Sequence, residues 1–122
     1  MDYTKVWLDY KPVQSAPAQA FSLCTQEKGP IIDNILSEFD TAFSAMYGMA
    51  PVHGCQAGTI PITLDINTCL HEEGFRIEKT AEKISIAAGA HQGLLYGTFE
   101  LLRRIQTGKA CTDFTVEKSP SN

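Results

Sequence analysis

Three carboxylates stand on stretches regular enough to hold them in place: Asp65, Glu78 and Glu100. Two carboxyl groups facing each other can share acid and base work on a glycosidic bond, at about 5–5.5 Å or about 6.5–9.5 Å apart. The spacing of these three singles out no such pair. Asp65 and Glu78 also occupy outward positions of alternating segments. His71-Glu72-Glu73 could open a metal site, but it lacks the second histidine four residues on that a helical zinc site requires. Because it directly precedes a strand, it reads as a polar turn. His53 lies in a Gly/Pro-rich loop and His91 at a helix start, neither with a partner legible in the sequence. Gly89-Ala90-His91-Gln92-Gly93 imitates a phosphate loop without its lysine, and no G-x-S-x-G elbow occurs. No catalytic, cofactor-binding or metal-ligating residue is assigned.

Cys24, Cys55, Cys69 and Cys111 are widely spaced and form no CxxC pair, so no zinc site is expected. They are expected as free buried thiols, with one or two disulfides left open should the protein be exported. At 122 residues the chain is one domain's worth, long enough for a core without staples. A net charge of −4 and no basic block beyond Arg103-Arg104 argue against a nucleic-acid partner. No run of about 20 apolar residues points to a membrane. Met1-Asp2-Tyr3 leads directly into strand-like sequence rather than a signal peptide. Localisation stays open, since a leader can be trimmed.

The elements that must position these residues follow from hydrophobic period. Phe75 and Ile77 alternate with Arg76 and Glu78, and Ile84, Ile86 and Ala88 with Ser85 and Ala87, which predicts two one-faced strands. Thr80-Ala81-Glu82-Lys83 joins them as a hairpin loop. Strands are also expected at Tyr3–Tyr10, Phe21–Thr25, Thr59–Asn67 and Cys111–Glu117. A helix should start at Gly29-Pro30 and run to about Tyr47, stopped by Gly48. Met49–Gly58 reads as a connection. The second helix should span about Gln92 to Thr107, with Gly108 as its cap. Outward positions are Thr, Asp, Asn, Arg, Glu and Ser, so one sheet face should be wet and both helices should cover the other. The expected fold is α+β: a two-layer sandwich of one mostly antiparallel or mixed sheet with two helices on one face.

The second helix has an apolar arc of roughly 160°, wider than a surface helix needs. Gly93 and Gly97 are four apart and share a face. Interior helical glycines cost about 1 kcal/mol each relative to alanine, so another backbone is expected to pass close. One reading is a buried helix touched by loops of its own domain. The other is a docking surface for a further domain at Gly93, Tyr96 and Gly97, with the Cys111–Lys118 tail.

The order Gly74-Phe75-Arg76-Ile77, then Ile84-Ser85-Ile86-Ala87-Ala88-Gly89, then Gly93-Leu94-Leu95-Tyr96-Gly97 through Leu101-Leu102-Arg103-Arg104-Ile105-Gln106-Thr107-Gly108 resembles N-terminal domains of glycoside hydrolases. Hexosaminidase-like accessory domains share the pattern loosely. Trp7-Leu8-Asp9-Tyr10 and the Leu102–Gly108 end bring it nearer to the xylan α-glucuronidases of glycoside hydrolase family 67. That resemblance implies a non-catalytic accessory domain over residues 1–118, with 119–122 starting a linker to a catalytic (β/α)8 barrel. It implies a parent enzyme that removes (4-O-methyl)glucuronic acid from xylo-oligosaccharides without metal or cofactor and dimerises through another region. The fragment alone is then expected to be inactive. The equivalent domain of a β-hexosaminidase and a free-standing carbohydrate- or protein-binding module are the alternatives.

Overall fold

A computed structural model describes residues 20–107 and 113–118. The predicted Tyr3–Tyr10 strand, the Gly108 cap, Cys111 and the 119–122 linker lie outside the described residues. The elements run β1 (Phe21–Cys24), α1 (Pro30–Tyr47), β2 (Val52–His53), β3 (Ile60–Ile66), β4 (Phe75–Lys79), β5 (Ile84–Ala88), α2 (His91–Gln106) and β6 (Phe114–Lys118). They form one six-stranded mixed sheet in the order β2-β1-β3-β5-β4-β6. β1 pairs in parallel with β2 and β3, and β3 with β5. β4 runs antiparallel to both β5 and β6.

Packing shows that the helices share a face. α1 leads first to β2, which pairs with β1 on the side away from β3, and the chain then passes to β3. Because β5 and β6 are both antiparallel to β4, β5–α2–β6 is a crossover between parallel strands. α1 and α2 pack against each other and bury their apolar sides in one core, on the same side of the sheet. The expected two-layer α+β architecture is therefore what the chain adopts.

The register sorts side chains into two faces. Ile62, Leu64, Ile84, Ile86, Ala88, Phe75 and Ile77 point to the helices and are almost fully buried. From α1, Ile32, Ile35, Phe39, Ala42, Phe43 and Met46 join the same core. Phe43 anchors α1 to β1, its ring centroid lying 4.9 Å from that of Phe21. Gly48 closes α1 in the left-handed conformation at φ 75°, its N–H donating to Ser44 O at 3.0 Å. Glycine adopts that geometry at no steric cost.

On the other face two rows cross the sheet. One reads Cys24, Thr63, Ser85, Glu78, Thr115, and the other Asp65, Ala87, Arg76, Glu117. Asp65, Arg76, Glu78 and Glu117 are exposed, as alternation predicts. At β1 the expectation of a wet face fails. Ser22 is completely buried and Cys24 nearly so. Thr59 Oγ1 donates to Ser22 Oγ at 2.8 Å, and a disulfide joins Cys24 to Cys55 across a Cα–Cα distance of 5.0 Å. That separation is ordinary for bridged cysteines. The expectation of free buried thiols is thus corrected: Cys24 and Cys55 are bonded, and Cys69 is free but exposed. The bond escaped the sequence because it joins a strand to a loop 31 residues on. That same loop contains the short β2, which was expected to be irregular.

Candidate functional site

The carboxylates do not converge. Asp65 on β3 and Glu78 on β4 are separated by β5 and offset by two residues along the strands. Strand spacings of about 4.8 Å across and 3.3 Å along put their backbones about 12 Å apart, on a flat face. Glu78 is also paired with Arg76 at 2.8 Å. Nothing there flanks a cleft.

Glu100 stands apart from the other two carboxylates. It lies on α2 and is only 8% exposed. Helical spacing brings Arg103 and Arg104 onto it: Arg103 Nη2 donates to Oε1 at 2.6 Å and Arg104 Nε to Oε2 at 2.9 Å. Lys118 Nζ reaches across from β6 to Oε1 at 3.3 Å. Burial acts to raise the pKa of this carboxyl. The Arg104 hydrogen bond, the Arg103 charge, and the bond and charge of Lys118 outweigh it and hold the group below its ordinary 4.5. A carboxylate so neutralised is a poor proton donor or nucleophile at neutral pH. Its geometry is structural.

Two of the three histidines, His53 and His91, find carboxylates. His91 Nε2 lies 2.9 Å from Glu27 Oε1, and its ring would stand 3.5 Å from a side chain added at Gly29. The pair therefore clips the β1–α1 loop to the start of α2. His53 Nε2 lies 2.9 Å from Asp40 Oδ1, tying β2 to α1. His71 is exposed in the 67–74 turn, where its Nδ1 accepts the Glu73 N–H at 3.1 Å. This is the polar turn expected there. Among the described residues no group of three or more His, Cys, Asp and Glu could hold a metal ion, and no helix is long and apolar enough to cross a membrane.

A groove of about 420 Å³ opens where β1 and β2 end and α1 begins, lined in part by Leu23, Thr25, Glu27, Asp33 and His53. Crevices beyond the carboxyl ends of parallel strands are where such sheets take ligands. Two of its titratable groups are committed elsewhere, Glu27 to His91 and His53 to Asp40, and the others, Lys28 and Asp33, are exposed. Thr25 Oγ1 is likewise occupied, donating to Leu64 O at 2.8 Å. The groove carries no reacting constellation.

The proposed docking residues separate. A Cβ at Gly93 would stand 2.5 Å from Gly74 O and 2.9 Å from Ala88 Cβ, and one at Gly97 would stand 2.8 Å from Ile86 Cγ2. The close approach that both glycines permit is to the chain's own β4, β5 and 67–74 turn. Gly93 and Gly97 are buried inside the domain, so for them the docking expectation is corrected. Their positions on α2 are fixed by the sheet beneath. Tyr96 remains half-buried at the margin of the core.

The chain matches no protein-family model and no curated protein sequence. Its fold recurs in solved structures. A GH138 enzyme targeting pectin rhamnogalacturonan II superposes with a TM-score of 0.66 at 13% identity, over 82% of this chain and 12% of that one. The GH20 β-N-acetylhexosaminidase from Streptomyces coelicolor A3(2) gives 0.62 at 18% identity, over 90% of this chain and 24% of that one. A β-N-acetylhexosaminidase from Bacteroides fragilis NCTC 9343 gives 0.51 at 21% identity, over 76% and 17%. At these identities the likeness establishes the fold alone. The chain spans between about an eighth and a quarter of each of those proteins.

Proposed function

We propose that this chain is a non-catalytic accessory domain of a larger glycoside hydrolase, packed against a catalytic (β/α)8 barrel. The supporting observation is that its whole fold corresponds to a minor segment of glycoside hydrolases, while its own carboxylates are splayed on a flat face or neutralised. Scaffold folds host many functions, so the argument rests on the site. The site here offers support rather than chemistry.

The finer reading is the N-terminal domain of a xylan α-glucuronidase, which rests on the Trp7–Tyr10 segment and the Leu102–Gly108 end of α2. The second reading, an accessory domain of a β-hexosaminidase, is favoured by the GH20 superpositions. In both, Tyr96 is the residue we assign to the junction with the barrel, and the partner is that barrel rather than a nucleic acid or membrane.

Activity separates the readings. Purified 1–122 should release neither glucuronic acid from aldouronic acids nor N-acetylglucosamine from an aryl glycoside. The longer protein should release the first if it is an α-glucuronidase and the second if it is a hexosaminidase. Turnover of either substrate by the isolated chain would overturn the accessory role.

A further inference from the structure

We propose that Glu100 is an acid-sensitive latch that holds the edge strand β6 onto the domain, so that neutralising this carboxylate releases β6 before the rest of the fold opens. β6 pairs with β4, and its own burial is slight. Phe114 and Val116 are half-buried, while Thr115, Glu117 and Lys118 are exposed. An edge strand with so little apolar area depends on its remaining ties.

Two ties run to α2, one from each end of the strand. Lys118 binds Glu100 directly. At the other end the Arg104 guanidinium stands over the Phe114 ring, 5.1 Å from its centroid, a contact that attracts by the ring quadrupole. The second tie also depends on Glu100, because Oε2 holds Arg104 Nε in place at 2.9 Å. One carboxylate thus orients both contacts.

The charges facing it are Arg103 and Arg104 from α2 and Lys118 from β6. On the same side β4 carries Phe75, Ile77 and Lys79, and Lys79 pairs in register with Phe114, away from Lys118. Arg76 and Glu78 point to the opposite sheet face. Protonation would therefore leave three cations around a neutral acid. Lys118 and Arg103, each about half exposed, reach water most cheaply by moving away. For Lys118 that movement frees the end of β6 and uncovers the β4 edge.

Releasing β6 takes Lys118, one of the groups that hold this carboxyl below its ordinary 4.5, away from Glu100, while Arg103 and Arg104 stay beside it. The Lys118 tie is present while Glu100 is ionised and is lost as pH falls below about 4.5 through the lower folded value. β6 should loosen in that acid range and stay closed at neutrality.

Amide hydrogen exchange on the full chain tests this. At pH 7, Glu100→Gln should lower the protection of residues 114–118 at least tenfold while β3 and β5 hold theirs. Lys118→Met should reproduce part of that loss in the wild type and add none in Glu100→Gln. Wild-type protein taken from pH 6 to pH 3.5, corrected for intrinsic exchange, should show a loss confined to the same residues, and this arm stands even if the variant fails to fold. Equal loss across β3, β5 and β6, or unchanged β6 protection at pH 3.5, would overturn the latch.

Discussion

Reducing the Cys24–Cys55 bond is expected to remove about 3–4 kcal/mol from the stability of the domain. The bond closes a loop of 31 residues, and chain-entropy arguments give about 3 kcal/mol for a 15-residue loop, rising slowly with length. Little else secures the segment it pins. Between Met49 and Gly58 only Pro51 is buried. Its other ties include the two-residue pairing of β2 with β1, the Gly54 N–H donating to Leu23 O at 2.9 Å, the 2.6 Å contact of Thr59 Oγ1 with Gln56 O, and the exposed His53–Asp40 pair. An exposed pair of that kind is worth little.

A loss of about 3 kcal/mol lowers the melting temperature of a domain this size by roughly 10 °C or more. Urea titrations with and without reductant, repeated on Cys24→Ala/Cys55→Ala, should agree with each other and fall well below the oxidised protein. Alkylation of the folded, unreduced chain should spare Cys24 and Cys55 while modifying exposed Cys69. If all three react equally, or if reductant leaves the urea midpoint in place, the bond is not a stabilising element. The domain should accordingly be sturdier in an oxidising compartment than in a reducing one.

Period-two and period-3.6 patterns revealed the elements because each strand and helix has one apolar side. Phe75/Ile77 against Ile84/Ile86 led directly to the observed hairpin, and Ile32 through Met46 to α1. What the pattern could not carry was anything settled by partners distant in the chain. Parallel pairing of β1 with β3 depends on the crossover through α1, and the burial of Ser22 depends on neighbours that alternation does not encode. The same holds at the candidate site. Glu27 and His91 are 64 residues apart, so no local spacing announces their pairing.

Glu100 illustrates a subtler failure. Its i+3 and i+4 arginines are visible in sequence and normally mark a solvated face. Here β6 returns beside that face and encloses the carboxylate. A signal did exist: three charged residues on a helix whose apolar arc is already too wide leave little room for an open polar side. Of the two glycines expected to admit a passing backbone, Gly93 does so toward Gly74 O and Glu72 O of the chain's own turn, whereas Gly97 meets the side chains of Ile86 and Phe75.

That packing sets a graded expectation for α2. Gly93→Ala gains about 1 kcal/mol of helix propensity, but its new methyl meets backbone oxygens, Gly74 O at 2.5 Å and Glu72 O at 3.0 Å. Backbone cannot step aside without moving the 67–74 turn. Overpacking costs about 1–3 kcal/mol and occasionally more; a clash this close with backbone belongs at about 2–3 kcal/mol, so the net change should be destabilising by about 1–2 kcal/mol. At Gly97 the nearest atom is the Ile86 methyl at 2.8 Å, with Phe75 Cβ at 3.3 Å. These are side chains that can shift slightly, and Gly97→Ala should come out near neutral. Gly97→Leu has no such escape, because both Ile86 and Phe75 are fixed in the core. It should cost about 3 kcal/mol or prevent folding. Urea denaturation of the isolated chain ranks the three variants. Were these glycines reserved for a separate domain, all three substitutions would leave the isolated chain as stable as wild type or, through propensity, more stable. Stabilisation by Gly93→Ala together with tolerance of Gly97→Leu would therefore refute the internal packing of α2 and restore this face to an outside partner.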